Sequence, residues 1–313
     1  MSTLTTSPDT SHHRTLPAAL SGTATAGIGA AGIGIGLAGA FGTVPAIRID
    51  WLVPLLGVQL RIDPLGGFFM MLTGAVAVAA GLYWIGYARH ERYGAVPLLT
   101  LPLFVATLLT VPAAGSVTTF LLAWELMALT SLVLVLTDQQ RSEVRSAALI
   151  YAVMTQLGFV SLLLGMVVLA THAGDDFAGI GPLSDGVRNT VFVLTLIGFG
   201  SKAGLLPLHA WLPRAHPEAP SPVSALLSAA MVNLGIYGIV RVDVQLLGPG
   251  PRWWALALVI LGSGIRVWSA GTLVKVSELA TEGPYALSRN PLYFGTFLAG
   301  LGLTLFVHNA ALL

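Results

Sequence analysis

The sequence contains no cysteine and few charged residues. The absence of cysteine among its 313 residues excludes disulfides, a cysteine nucleophile and iron–sulfur clusters bound by thiolates. Charged residues make up 9% of the chain, whereas soluble domains contain about 25%. The net charge of +1 argues against a nucleic-acid partner, because such partners require clustered basic residues. No cluster of metal-ligating residues stands out, so no metal is expected.

The chain is instead rich in apolar residues and glycine. Hydrophobic residues account for 55% of it, and the mean hydropathy is +0.82. This is more apolar surface than one aqueous core could bury, so a lipid bilayer is the expected surrounding for much of the chain. The 36 glycines suit close packing between membrane helices.

About nine apolar runs are long enough to cross a bilayer, which takes about 20 residues in a helix. The predicted fold is therefore all-α, a polytopic bundle of transmembrane helices with one broken helix near Pro207, because proline interrupts helical hydrogen bonding. The predicted spans are 17–43, 65–87, 95–114, 117–136, 146–170, 190–213, 222–240, 253–273 and 292–312.

Composition also divides the chain and suggests its orientation. Polar residues 1–16 predict a disordered tail, residues 17–248 a main membrane domain, and residues 249–313 a separate membrane segment. If the loops alternate between two sides and the N-terminus lies on side A, side A carries eight basic residues and side B five, including Arg241. Basic residues favour the cytoplasmic side, so the N-terminus is predicted to be cytoplasmic.

Two ionisable residues lie within the apolar runs. Glu125 and Lys202 are each near the middle of a predicted span, and Lys202 is one of only two lysines. Such a group costs about 2.5–3.5 kcal/mol at the centre of a membrane helix and is usually functional. A buried pair of this kind could exchange protons, because each charge tunes the proton affinity of the other. The alternative is a structural pair that holds two helices together.

Other polar residues could extend a proton route from this pair. They are Thr130, Ser131, Thr155, Gln156, His209 and His216. His209 follows Pro207 and could equally cap backbone groups that the break leaves free. His216 is interpreted as an interfacial loop residue.

Three stretches resemble a known family. They are Trp124-Glu-Leu-Met-Ala-Leu-Thr-Ser131, Gly198-Phe-Gly-Ser-Lys-Ala-Gly-Leu-Leu-Pro-Leu-His-Ala-Trp-Leu-Pro-Arg-Ala-His216 and Ala219-Pro-Ser-Pro-Val-Ser-Ala-Leu-Leu-Ser228. Together they resemble the antiporter-like membrane subunits of complex I, Mrp antiporters and group 4 hydrogenases, and most of all hydrogenase-4 component B. The resemblance implies that Glu125 and Lys202 are the glutamate and lysine that move protons or sodium ions. It also implies partner subunits, both membrane-bound and hydrophilic.

The sequence departs from that family at several points. Many relatives have a lysine where Asn233 stands, and asparagine can hold water but cannot carry the proton. The family usually has two helices before Asp63, where this chain has room for one. It also continues for about six further helices after Arg241.

The last part of the chain resembles a different family. Gly264-Ile-Arg-Val-Trp268 and Gly283-Pro-Tyr-Ala-Leu-Ser-Arg-Asn-Pro-Leu-Tyr-Phe-Gly295 are similar to isoprenylcysteine carboxyl methyltransferases and phospholipid methyltransferases. That resemblance implies an S-adenosylmethionine site at Arg289, Asn290, Pro291 and Tyr293. The family also needs a glutamate pair farther along, which this sequence does not contain, so a membrane segment without activity is the alternative.

The sequence therefore predicts a proton- or sodium-conducting membrane subunit of a respiratory oxidoreductase or hydrogenase complex in the cell's inner (plasma) membrane. Because the chain has no redox centre of its own and no expected cofactor, other subunits would carry the electrons. Two alternatives remain: an S-adenosylmethionine-dependent membrane methyltransferase and a non-conducting assembly subunit.

Overall fold

The computed structural model describes residues 12–52, 57–91, 93–205, 208–248, 250–272 and 291–307. Within them the chain is an all-α membrane bundle, as predicted. It also contains one small hairpin, which was not predicted. Its helices are α1 (His12–Phe41), α2 (Pro64–His90), α3 (Ala95–Ala113), α4 (Val117–Val135), α5 (Ser142–Ala173), α6 (Asp185–Ala203), α7 (Leu212–Glu218), α8 (Ser221–Leu226), α9 (Val232–Gly238), α10 (Arg252–Thr272) and α11 (Pro291–Val307). The strands are β1 (Ile47–Ile49) and β2 (Val58–Leu60).

The helices run back and forth between two ends of the bundle, here called end A and end B. End A holds the start of α1, and end B holds the β1–β2 hairpin. Six helical segments of the described chain are long and apolar enough to cross a membrane: 17–41, 64–90, 95–113, 117–138, 142–173 and 221–246. Large apolar side chains also stay exposed on outer helix faces, as on α5 where Leu149 and Leu157 are each 65% exposed. The long apolar helices and the exposed apolar side chains both indicate a protein embedded in a lipid bilayer.

Helix α1 packs on α2 through two rows of glycines with a seven-residue spacing. Gly22, Gly29 and Gly36 of α1 face glycines of α2 so closely that a Cβ atom on Gly29 would lie 2.8 Å from the Gly74 carbonyl oxygen. Small residues allow such close backbone approach between membrane helices. The glycine-rich α1 is a poor helix former by propensity, and this contact is what stabilises it.

Helix α1 also begins earlier than predicted. It starts at His12, within the range 1–16 that the composition predicted as a disordered tail, and residues 1–11 lie outside the described residues. Pro17 lies inside the helix, in its second turn, where proline removes one backbone hydrogen bond.

End B is tied together by side chains that cap helices. Asp63 caps α2 by accepting a hydrogen bond from the Gly66 backbone N–H at 2.8 Å. Ser116 caps α4 by accepting one from the Thr119 N–H at 3.2 Å. Thr119 in turn accepts from the backbone N–H of Gln59 in the hairpin, at 2.8 Å. The hairpin therefore fixes the starts of two membrane helices relative to each other.

The segment after α8 contains two π-helical stretches, Leu227–Met231 and Ile239–Leu246, on either side of α9. The predicted span ended at residue 240, but the helix continues to Leu246. Arg241 is consequently buried inside the bundle, and its assignment to a side B loop was wrong. Periodicity did not reveal this because Arg241 and Asp243 read as the polar end of a span.

The glycine contact generates a prediction for α1. Gly29→Ala should lower the free energy of unfolding by about 1–3 kcal/mol, because the added methyl group overpacks a backbone contact. Gly27→Ala is the matched control, since a Cβ atom there meets nothing within 4 Å, and it should be neutral or slightly stabilising. Thermal unfolding of both variants in detergent checks this, and equal stabilities would contradict it.

Candidate functional site

Lys202 lies buried in the interior of the bundle, in the last turn of α6. It is 3% exposed. Its Nζ donates a hydrogen bond to the Tyr151 hydroxyl at 3.2 Å, and the ring centres of Tyr151 and Trp211 lie 5.3 Å and 6.0 Å from that nitrogen. Ring faces carry negative partial charge that stabilises a nearby cation. The ammonium is thus held by a hydroxyl and two aromatic rings.

The backbone break behind Lys202 helps to position it. Helix α6 ends at Ala203, and Gly204 adopts a left-handed conformation with φ of 72°, which glycine tolerates best. The indole N–H of Trp211 donates to the Ser201 carbonyl at 2.9 Å. A broken helix was predicted here and is confirmed, although Pro207 itself lies outside the described residues. The C-terminal end of α6 also presents its negative dipole end to Lys202.

Glu125 lies on α4, half-buried, and its Oε1 accepts a hydrogen bond from Gln156 Nε2 of α5 at 2.7 Å. Its Oε2 is buried and has no hydrogen-bond partner among the described residues. The predicted direct pair with Lys202 is not formed, since no ion pair within 4.0 Å joins them in the described chain. Any influence of the carboxylate on Lys202 is therefore exerted through space and not through contact.

Tyr151 links the polar groups, and sequence reasoning missed it. Its hydroxyl lies 3.2 Å from Lys202 Nζ, 2.5 Å from Ser131 Oγ and 3.6 Å from Met231 Sδ. The side chain is fully buried. Tyr151 belongs to the buried stripe of α5, one turn before Thr155. A tyrosine hydroxyl in a buried stripe needs a partner, and this signal could have identified it.

His209 and Asn233, the other two residues predicted from the sequence to belong to the translocation site, are placed differently. His209 is 5% exposed, in the turn between α6 and α7, so it lies within a few residues of the α6 break. Asn233 is half-buried on α9. Its amide donates to the Ala229 carbonyl at 2.7 Å, four residues earlier, in the first π-helical stretch. In the described part of the chain, no hydrogen bond joins Asn233 to Lys202.

A second buried charge cluster lies near end B. Arg241 donates to both carboxylate oxygens of Asp63, at 2.5 and 2.6 Å, and its Nε donates to the Tyr237 hydroxyl at 3.1 Å. Gln245 accepts a fourth hydrogen bond at 2.9 Å. Such a bidentate arginine–carboxylate pair is among the strongest polar contacts in proteins. It joins the start of α2 to the second π-helical stretch.

The family model described as NADH:quinone oxidoreductase/Mrp antiporter, TM matches residues 114–276, which is more than half of the chain and includes Glu125, Lys202 and Asn233. The chain belongs to this family of antiporter-like membrane subunits. The family resemblance predicted from the sequence motifs is confirmed.

Several relatives of this antiporter-like chain are similar over much of its length. An uncharacterized protein of Mycobacterium tuberculosis strain H37Rv is 60% identical over 292 residues, which cover 93% of this chain and 45% of that protein. Hydrogenase-4 component B of Escherichia coli K12 is 34% identical over 213 residues, covering 66% and 32% of the two chains. A chain of the Mrp complex from Dietzia sp. shares the fold with a TM-score of 0.73 at 23% identity, covering 95% of this chain and 32% of that one. The chain thus spans less than half the length of each of these relatives.

The C-terminal methyltransferase-like residues lie largely outside the part of the chain that the structure describes. The antiporter match continues past residue 248 to residue 276, whereas the predicted S-adenosylmethionine residues follow it. Arg289 and Asn290 lie outside the described residues, and so do the side chains of Pro291 and Tyr293. That site stays a prediction.

The Asp63–Arg241 pair should stabilise the antiporter-like bundle in a pH-dependent way. Burial raises the pKa of Asp63, but the hydrogen bonds and charge of Arg241 and the Gly66 N–H lower it more, so the net pKa is below the ordinary 3.8. The contribution is therefore complete above about pH 4 and is lost as pH falls through the pKa of the folded state.

We expect Asp63→Asn to lower the free energy of unfolding at pH 7 by about 1–2 kcal/mol. This is less than the roughly 3–5 kcal/mol typical of buried pairs, because the Asp63 side chain is 38% exposed. Melting measured between pH 7 and pH 3 should show the difference from the unmodified chain shrinking below about pH 4. Asp50→Asn is the matched control, since that carboxylate is 76% exposed, and a difference independent of pH would contradict the assignment.

Proposed function

We propose that this chain is the proton-conducting membrane subunit of a respiratory oxidoreductase or hydrogenase assembly, with sodium as the alternative ion. The observation that carries the proposal is a lysine buried in the membrane domain that no carboxylate of the described residues contacts directly. A group that passes protons must gain and lose charge at low cost. Lys202 meets this requirement because its surroundings suit both of its charge states.

The Tyr151 hydroxyl serves both of those states. A hydroxyl carries one donor hydrogen and two acceptor lone pairs. It accepts a hydrogen bond from charged Lys202 at 3.2 Å, and it can donate one to the neutral amine. No ion pair within 4.0 Å holds Lys202 in the described structure. Loss of the Lys202 proton therefore breaks no ion pair. A lysine locked to a carboxylate would instead pay for separating the two charges.

Glu125 would set the balance between these states from a distance. Its negative charge favours the charged form of Lys202, and protonation of Glu125 would remove that support. The buried Oε2 has no hydrogen-bond partner among the described residues, so it is available to a proton or a water molecule. Gln156 fixes the other oxygen at 2.7 Å. In this proposal Glu125 is the switching carboxylate and Lys202 the carrier.

One hydroxyl pair extends from the lysine site to α4, and a separate hydroxyl pair joins α4 to α3. Tyr151 lies 2.5 Å from Ser131 Oγ, and the adjacent Thr130 lies 3.4 Å from Thr107 on α3. Hydroxyls can accept one proton while donating another, which suits them to a relay. His209 would link Lys202 to end A, while Asn233 would hold water without carrying charge.

The family relatives are subunits of larger assemblies, which supports membrane partner subunits for this chain. Because the sequence has no cysteine, an accompanying hydrophilic arm would carry the electrons. The multi-pass chain would lie in the cell's inner membrane with its N-terminus in the cytoplasm, as the excess of basic residues on side A suggests.

Replacing Lys202 tests the carrier role. Lys202→Met keeps an unbranched side chain of similar length but cannot hold a proton, so we expect proton flux to fall at least about tenfold with insertion unchanged. The measurement is potential-driven acidification of vesicles that contain the full chain and a pH-sensitive dye. Arg48→Gln is the control, because that basic side chain is 62% exposed.

Flux equal to that of the unmodified chain in Lys202→Met would rule out the carrier role. If the unmodified chain itself conducts no ions but copurifies with partner subunits, it is instead an assembly subunit. Replacing protons by sodium as the driven ion in the same vesicles decides between the two ions.

Replacing Tyr151 tests the link between Lys202 and Ser131. Tyr151→Phe keeps the ring under the ammonium but removes the hydroxyl, so we expect flux to fall about tenfold, equivalent to about 1.4 kcal/mol in the barrier. Tyr83→Phe is the matched control, since Tyr83 is 57% exposed on the outside of α2. If both variants conduct equally, the hydroxyl is not part of the route.

A further inference from the structure

Asp243 is a buried carboxyl group that the lysine site does not use. It lies on the second π-helical stretch and is 1% exposed. Its Oδ1 lies 2.6 Å from Thr195 Oγ1 on α6. Its Oδ2 is buried and has no hydrogen-bond partner among the described residues. π-Helical turns occur frequently at functional sites, so this side chain calls for an explanation.

The surrounding cations do not neutralise this carboxyl group. Arg241, two residues earlier, is bound to both oxygens of Asp63. Arg188 on α6 lies 5.7 Å from the centre of the Trp254 ring and 3.7 Å from Asp185. Within the described part of the chain Asp243 forms no ion pair. An ionised carboxylate here would be buried without compensation, which is among the most expensive arrangements in a protein.

The hydrogen-bond geometry fits the neutral acid instead. Thr195 Oγ1 lies 2.6 Å from Asp243 Oδ1 and also 2.7 Å from the Val191 carbonyl oxygen, yet a hydroxyl has only one hydrogen to donate. If Asp243 carries a proton, it donates to Thr195, and Thr195 donates to Val191, so both short contacts are hydrogen bonds. If Asp243 is ionised, one of the two contacts has no hydrogen.

The position of Asp243 places it between Lys202 and end B. Its partner Thr195 precedes Lys202 by seven residues, two turns earlier on the same face of α6 and about 10 Å away along the axis. Asp243 lies two residues beyond Arg241 on the second π-helical stretch, which runs toward end B. Relative to the lysine, Asp243 therefore lies about two helical turns closer to end B.

We infer that Asp243 is a second proton-binding site of the membrane domain, a neutral acid held by Thr195 that exchanges its proton with water at end B. Proton binding at Asp243 stands on the contacts of this side chain alone. Its place in a relay rests on the proposed function. The ligand is a proton rather than a metal ion, because one carboxyl group and one hydroxyl supply fewer oxygens than a bound cation requires.

Infrared spectroscopy of the full chain in lipid vesicles tests the protonation state. Asp243→Asn, which keeps the shape of the side chain, should remove one carbonyl band of a protonated carboxyl group at neutral pH. The control Asp185→Asn should remove a carboxylate band, because that side chain is 90% exposed. Loss of a carboxylate band in Asp243→Asn would overturn the inference.

Two further measurements keep the test decisive. In D₂O the acid band should shift as the proton is replaced, and a band that never shifts would exclude exchange with water. If Asp243→Asn fails to fold, labelling of the unmodified chain by dicyclohexylcarbodiimide, an apolar reagent for protonated carboxyl groups, should map to Asp243, and no label there would overturn the inference. None of these readouts requires the vesicles to conduct, so their failure is distinct from failure of the proposed function.

Discussion

The structure is governed by the cost of placing charge away from water. In the part of the chain that the structure describes, three ionisable clusters lie within the bundle, and each meets this cost in a different way. Arg241 and Asp63 neutralise each other through paired hydrogen bonds. Lys202 is supported by a hydroxyl and two ring faces, and Asp243 has a single hydroxyl partner. The first arrangement fixes a charge in place, whereas the other two leave room for a proton to come and go.

In our proposal this difference separates the residues that stabilise the bundle from those that bind a mobile proton. The Arg241–Asp63 pair joins the start of α2 to the far end of the 221–246 span. It thereby fixes the positions of these two helices relative to each other at end B. The lysine sits where α6 breaks, at a point where backbone dipoles and aromatic rings replace a counterion. Mobile protons need such loosely compensated groups, and a rigid pair nearby keeps the helices from rearranging around them.

The sequence was sufficient for the helical architecture and for the placement of Glu125 and Lys202 within the bundle, because long apolar runs make both the spans and the rare charges in them visible; the roles of the two residues stay predictions. It misjudged groups whose role depends on distance between helices. Among the described residues Glu125 and Lys202 form no ion pair, and the amine contacts Tyr151 instead, a residue that does not stand out in an apolar run. Arg241 was placed in a loop, because a polar pair at the end of a span resembles the end of the helix. The methyltransferase-like residues remain a prediction from resemblance.

The two π-helical stretches have a consequence for how this helix can evolve. Each wide turn accommodates residues beyond those that an α-helix of equal rise would hold, and each α-helical residue turns the chain by about 100°. Removing one residue from Leu227–Met231 would therefore rotate everything after it, swinging Arg241 away from Asp63 and Asp243 away from Thr195 together. The rotation of this helix about its axis therefore sets the contacts of both Asp63 and Asp243. Insertions and deletions in this segment are constrained even where single substitutions are tolerated.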